Sequence, residues 1–183
     1  MDASLILLII LVAVGLFLMM IYNRLVALRQ TCRQAWGDVD VQLKQRHDVV
    51  PNLVETVKGF ASHEQETLEN VIKARQTAID ASSFKGLAEA ENMLSGALRQ
   101  LFALSEAYPD LKANENFLSL QNELADLENK IAAARRFFNN AVGEYNTAAE
   151  QFPAVLVANS FGFKQRDFFE VGEAERGAPK VQF

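Results

Sequence analysis

Residues 36–64 read WGDVDVQLKQRHDVVPNLVETVKGFASHE. Apolar residues recur ahead of this stretch and through it, at Leu25, Leu28, Cys32, Trp36, Val39, Leu43 and Val50. They continue at Leu53, Val54, Val57, Phe60 and Ala61. Steps of three and four place them on one face of a helix. The other face carries Asp38, Gln42, Lys44 and Gln45. The stretch therefore predicts a long amphipathic helix with a proline at a set place in it. Pro51 lacks an amide hydrogen and clashes with the preceding turn, so it either kinks the helix or opens a new one. Residues 49–54 lack the cluster of Gly, Ser and Asn that a tight reversal needs. The preferred expectation is one kinked rod reaching about Ile79, with the reversal at residues 80–83 (DASS). Asn52 or Arg46 is then expected to serve the His47 carbonyl that Pro51 frees.

Upstream, residues 3–21 (ASLILLIILVAVGLFLMMI) carry no charge. At about 1.5 Å per residue they span roughly 28 Å, close to the thickness of a bilayer's hydrocarbon core. A cleaved signal peptide has a basic start and small residues at its cleavage site. This run starts at Met1-Asp2 and leaves through Met19, Met20, Ile21 and Tyr22. An uncleaved transmembrane helix is expected, with Tyr22 at the interface. Arg24, Arg29 and Arg33 follow it, whereas its other flank has no Lys or Arg. The positive-inside rule then places the N-terminus outside and the body in the cytoplasm. No Pro or turn cluster separates Gly15 from Gly37, so the membrane helix is expected to run into the first helix of the body.

Downstream, Ser62 and Gln65 have capping-box spacing ahead of Leu68, Val71, Ile72 and Ile79. A helical stripe follows at Leu87, Ala90, Leu94, Ala97, Leu101, Leu104 and Tyr108, stopped by Pro109. Asn114 or Asn116 is placed to cap the next helix. Its seam is regular: Phe117, Leu120, Leu124, Leu127, Ile131, Ala134, Phe138, Ala141, Tyr145, Ala148 and Phe152. Alternating steps of three and four give a 3.5-residue period and predict coiled-coil-like packing along roughly 54 Å. Glu128 lies outside this seam and reads as a surface position. Phe161, Phe163, Phe168, Phe169 and Phe183 predict an extended tail anchored on the body by its aromatic rings.

The expected fold class is all-α: an antiparallel bundle of about four long helices, the first continuous with an N-terminal transmembrane helix. The expected domains are an anchor at 1–22, a bundle at 23–160 and an aromatic tail at 161–183. Four prolines and nine glycines in 183 residues are too few for an all-β fold. The single cysteine, Cys32, permits no internal disulfide and no Cys-based zinc site, and its place on the stripe predicts a buried hydrophobe. Residues 23–50 carry a net charge of +2, and residues 51–160 a net of −6. An acidic body disfavours nucleic acid as a partner, since phosphate contacts dominate that affinity.

Residues 40–64, DVQLKQRHDVVPNLVETVKGFASHE, closely resemble the signature of the LemA family. Tyr22-Asn23, Leu28-Arg29, Ala35-Trp36 and Ala74-Arg75 support the resemblance. So do Tyr145-Asn146, Phe152-Pro153, Gly162-Phe163 and Phe168-Phe169-Glu170 near the end. The resemblance covers about residues 22–171. It implies a membrane anchor, a bundle of about four helices and a place in the bacterial inner membrane, and it implies no established reaction. Some members look like lipoproteins with the body outside the cytoplasm. This chain has no lipobox ahead of Cys32.

No catalytic constellation is visible. His63-Glu64 begins like a zincin motif, but Thr67 stands where the second His belongs. Gly59, Gly86 and Gly96 form no phosphate-cradling loop. No cofactor and no metal are expected. One polar cluster remains: Asp40, Arg46, Asp48, Pro51, Asn52 and Glu55. It reads either as a docking or ligand site at the kink or as an ion-pair and cap network that fixes helix register. Tyr145-Asn146 is expected to close on this region or on the membrane neck. The leading expectation is a membrane-anchored scaffold, not an enzyme. It meets lipid through residues 3–21 and presents a surface to an unknown protein partner or to copies of itself. The alternative is a small-ligand binder or enzyme using the polar cluster.

Overall fold

The computed structural model describes residues 3–169. Among them are six helices and no strand: α1 (Ala3–Lys58), α2 (Gln65–Asp80), α3 (Phe84–Ser105), α4 (Pro109–Lys112), α5 (Glu115–Glu150) and α6 (Ala154–Phe161). The protein is all-α, and its apolar N-terminal run is one helix with the segment that follows it.

Pro51 lies inside α1, as the kinked-rod expectation required. The rod ends at Lys58, however, and not near Ile79. Gly59 gives up helical order, and the amides of Phe60 and Ala61 both fold back on the Val57 carbonyl. Ala61 is buried at the turn, which lets the α2 stripe of Leu68, Val71 and Ala74 lie on Val50, Leu53 and Val57. An apolar stripe needs a covering face, and an antiparallel return supplies one sooner than a longer rod. The capping box expected at Ser62 does not form. The residue before α2 is Glu64, whose carboxylate accepts from the Tyr108 hydroxyl instead of an amide of its own helix.

The later boundaries follow their local chemistry. Ser83 Oγ accepts from the Gly86 amide at 3.0 Å and starts α3. Pro109 opens the short α4, where its missing amide hydrogen is no loss. Asn114, not Asn116, caps α5, its Oδ1 accepting from the Phe117 amide at 3.0 Å. Gly162, at φ +71°, takes the left-handed turn that ends α6.

The chain divides into two units. The larger comprises Val39–Ala133 with Phe169. Arg75 of α2 meets His47 of α1, Tyr108 meets Glu64, and Phe102 of α3 meets Phe117 of α5. These pairings run α1, α2, α3 and α5 alternately up and down around a core of Leu53, Val57, Val71, Leu94, Leu101, Phe117 and Leu124. Phe169 closes edge-on against Phe84 at 5.5 Å.

The smaller unit comprises residues 3–38 and Ala134–Phe168. Here Trp36 meets Phe138 at 5.4 Å, and the Cys32 thiol donates to the Ala141 carbonyl at 3.2 Å. Cys32 is buried, as its place on the stripe required. The α5 seam is buried or half-buried from Phe117 to Ala148. Phe152 departs from it: α5 has ended at Glu150, the Phe152-Pro153 peptide is cis, and the ring is exposed. The tail is part helix, since Phe161 closes α6, which the aromatic pattern did not reveal. Phe163 and Phe169 are buried and Phe168 is exposed, while Phe183 lies outside the described residues.

Candidate functional site

The residue of the expected polar cluster that turns inward is Arg46. Asp40 is spent on Lys44 one turn along, at 2.7 Å, and Glu55 reaches Lys58 at 3.8 Å. Asp48, Pro51, Asn52 and Glu55 are exposed. At about 100° per residue, Arg46 stays with Leu43, Val50 and Leu53 on the inner face, whereas Asp48, Asn52 and Glu55 rotate away.

Arg46 is 1% exposed and gathers a network from two other helices, α3 and α5. Its Nη2 donates to Glu91 Oε2 and, at 3.4 Å, to the Glu91 carbonyl. Its Nη1 donates to Ser95 Oγ at 2.9 Å and to Glu128 Oε1 at 2.5 Å. Ser95 Oγ in turn donates to Glu128 Oε1 at 2.9 Å. The neighbouring His47 holds the other Glu91 oxygen through Nε2 at 2.8 Å. Beside it, Arg75 Nε donates to the His47 carbonyl at 2.6 Å. That carbonyl is the acceptor Pro51 leaves without an amide, so α2 and not Asn52 or Arg46 serves it.

Burial by itself pushes the Glu91 carboxyl up; the His47 hydrogen bond and the Arg46 charge outweigh it and hold the group below the usual carboxylate range. Glu128, taken as a surface position from the seam, is an acceptor in this network. Both Glu91 oxygens hold a partner from within the protein, and the carboxyl is buried. Among the described residues no group of three or more His, Cys, Asp or Glu side chains is placed to hold a metal ion. His63 is exposed in the turn after α1, far along the chain from His47.

The missed partners left a trace in the sequence. The α1 stripe skips a place between Leu43 and Val50, and Arg46-His47 fills it. Glu91 likewise sits between Leu87 and Leu94 on the α3 stripe. A charge of each sign in register with an apolar stripe is the pattern of a buried pair. Which helices would face each other was not in that pattern.

In the smaller unit, Tyr145 and Asn146 hold the tail rather than the kink. The Tyr145 hydroxyl donates to the Lys164 carbonyl at 2.9 Å. The Asn146 side chain donates to the Arg166 carbonyl and accepts from the Arg166 amide, both at 2.9 Å. One amide side chain thereby pairs with extended backbone as a strand would. Burial pushes the Tyr145 phenol up, with Arg166 opposing. Arg29 lies over the Phe163 ring at 4.8 Å, and Tyr22 meets it edge-on at 5.5 Å.

A family model described as LemA family matches residues 35–183. The chain is 24% identical over 178 residues to magnetosome protein MamQ of Magnetospirillum gryphiswaldense, covering 83% of this chain and 65% of that protein. It is 22% identical over 179 residues to a MamQ protein of Paramagnetospirillum magneticum, covering 84% and 66%. Protein LemA of Metamycoplasma hominis is 26% identical over 158 residues, covering 84% and 71%. The chain thus spans just under two thirds of the length of the magnetosome proteins it matches.

Proposed function

Because the chain belongs to the LemA family, we propose that it is a membrane-anchored helical scaffold whose body offers an interaction surface to a protein partner or to another copy of itself. The observation that carries this is the state of the apolar run. From Leu5 to Phe17 its large side chains stand exposed, and the same helix continues unbroken to Lys58. Such a run is stable where lipid covers it. Arg24, Arg29 and Arg33 beyond its end support a single pass with the body in the cytoplasm.

The reading includes no reaction. Arg46, His47 and Glu91, the polar groups a small ligand would seek, hold one another and fix the register of α1, α3 and α5. Relatives as different in setting as magnetosome proteins and a protein of Metamycoplasma hominis support a structural role over one tied to a single substrate.

Crosslinking in native membranes, followed by pull-down and mass spectrometry, tests the proposal. Reproducible crosslinks from body residues to one protein, or to a second copy, are expected. Recovery of the chain free of protein crosslinks at saturating reagent would reject the scaffold reading.

A further inference from the structure

Helix α6 (AVLVANSF) carries no charge. Its Val157 and Ala158 are buried in the smaller unit. Its other side is mixed, with Leu156 58% exposed beside the exposed Asn159 and Ser160, while Phe161 at the helix end is 64% exposed and Phe152, just ahead of the helix, 80%. A helix with a buried side, large exposed apolar residues and small polar ones suits a boundary between water and an apolar medium. Single apolar residues on a surface need no explanation, but a contiguous patch marks a site of interaction.

The position of the patch identifies what covers it. Leu18, Met19 and Tyr22 of α1 form a cleft of about 480 Å³ with Leu156, Val157, Ser160 and Phe161. The Tyr22 and Phe161 rings meet edge-on at 5.0 Å. Leu18 and Met19 belong to the uncharged run that ends at Ile21. They lie about 3–5 Å along the helix axis inside its end, so they sit just within the hydrocarbon when the run spans a bilayer. A helix packed on them shares their depth. That depth is where interfacial helices lie, sunk about 5–10 Å into the boundary between headgroups and acyl chains.

Resting on the anchor reading above, we infer that Phe152 and α6 form a second membrane contact, lying in the interface of the leaflet next to the body. Acyl chains of that leaflet cover Phe152, Leu156 and Phe161 and fill the cleft beside Leu18 and Met19. The protein then holds its membrane at two sites far apart in sequence, and the second is fixed to the body through Val157 and Ala158 rather than through a flexible linker. The inference does not depend on which side of the membrane the body occupies.

Single cysteines at Leu11, Asn140, Leu156 and Phe161 of the full chain test it, each labelled with an environment-sensitive fluorophore. Cys32 is buried and stays unlabelled in the native fold. The protein is placed in nanodiscs of phosphatidylcholine and phosphatidylglycerol, then quenched by iodide or by lipids spin-labelled near the headgroup or deep in the chain. Leu156 and Phe161 are exposed side chains, so their replacement leaves the core intact. Labels at both are expected to show blue-shifted emission, loss of intensity to the shallow spin label and shielding from iodide. Asn140 should be quenched by iodide alone, and Leu11 by the deep spin label. Labels at 156 and 161 that behave like the one at 140 would place the patch in water and overturn the inference. Shielding from both iodide and lipid would assign the patch to a second copy of the chain and overturn it equally. In either case quenching of Leu11 by lipid leaves the anchor standing; a water-like Leu11 would remove the anchor itself.

Discussion

In an uninterrupted helix the His47 carbonyl would accept the amide of residue 51, and Pro51 has none. Arg75 reaches across from α2 to fill the gap, so a proline on one helix and an arginine on another form a single unit. Arg75→Ala should therefore lower stability by about 1.5–3 kcal/mol, the usual range for a hydrogen bond from a charged donor. In a Pro51→Ala background, where the helix regains its own amide, the same change should do clearly less. Thermal unfolding of the full chain in detergent, followed by circular dichroism, gives this double-mutant cycle; additive effects would show that the two residues are independent. Glu91 supplies a pH test. Its carboxyl is held low in the folded protein, so its contribution is complete above the unfolded value, about 4.3, and is lost as pH falls through the folded one. Glu91→Gln should weaken the protein at neutral pH and flatten its loss of stability on acidification below about pH 4. A variant with an unchanged acid limb would sink this assignment.

At the scale of the helix, the α5 seam and the α1 rod can each be tested at neighbouring positions. Leu124 is fully buried, and Leu124→Ala should cost about 2–5 kcal/mol. Glu123→Ala, on the exposed side, should stay within about 0.5 kcal/mol. Glu128→Ala should fall between them, at about 1–3 kcal/mol, because it strips Arg46 of an acceptor. Spin labels at Gln45 and Lys58, thirteen residues apart on α1, should lie roughly 20 Å apart; a value near roughly 10 Å would mean a hairpin at Pro51. The same comparison shows what a sequence can disclose. Strict periodicity made the seam and the α3 stripe readable, because a helix must keep its apolar residues on one side. The end of α1 at Lys58 was not readable in this way. Phe60 and Ala61 continue the apolar rhythm past Gly59, and the early reversal is set by the stripe of α2 and its need for cover. The polar network was half legible: the charges stood in register with the stripes, but the pairing of Arg46 with Glu91 and Glu128 depends on helices that are distant in sequence. Helix α6 escaped because eight mostly apolar residues show too little period to separate a helix from a packed tail.

For the molecule as a whole, the uncharged run should keep the full chain in the membrane pellet through carbonate extraction, while a chain lacking residues 3–21 should leave it or stay only weakly held through α6. Full-length protein in the carbonate supernatant would refute an integral anchor. Protease added outside intact spheroplasts should spare the body; digestion there would reverse the proposed topology. The buried sulfur of Cys32 makes a further kind of measurement possible. Its thiol donates to the Ala141 carbonyl of the facing helix, and burial pushes its pKa up, so the reactive thiolate is scarce and out of reach while α1 and α5 stay together. Modification of this sulfur therefore has to wait for the two helices to part. The rate at which a small disulfide reagent consumes the thiol is a clock on that parting, and it runs inside the intact membrane without any engineered label. Loosening the tail with Asn146→Ala, or supplying whatever binds the body, would be read directly as a faster or slower tick.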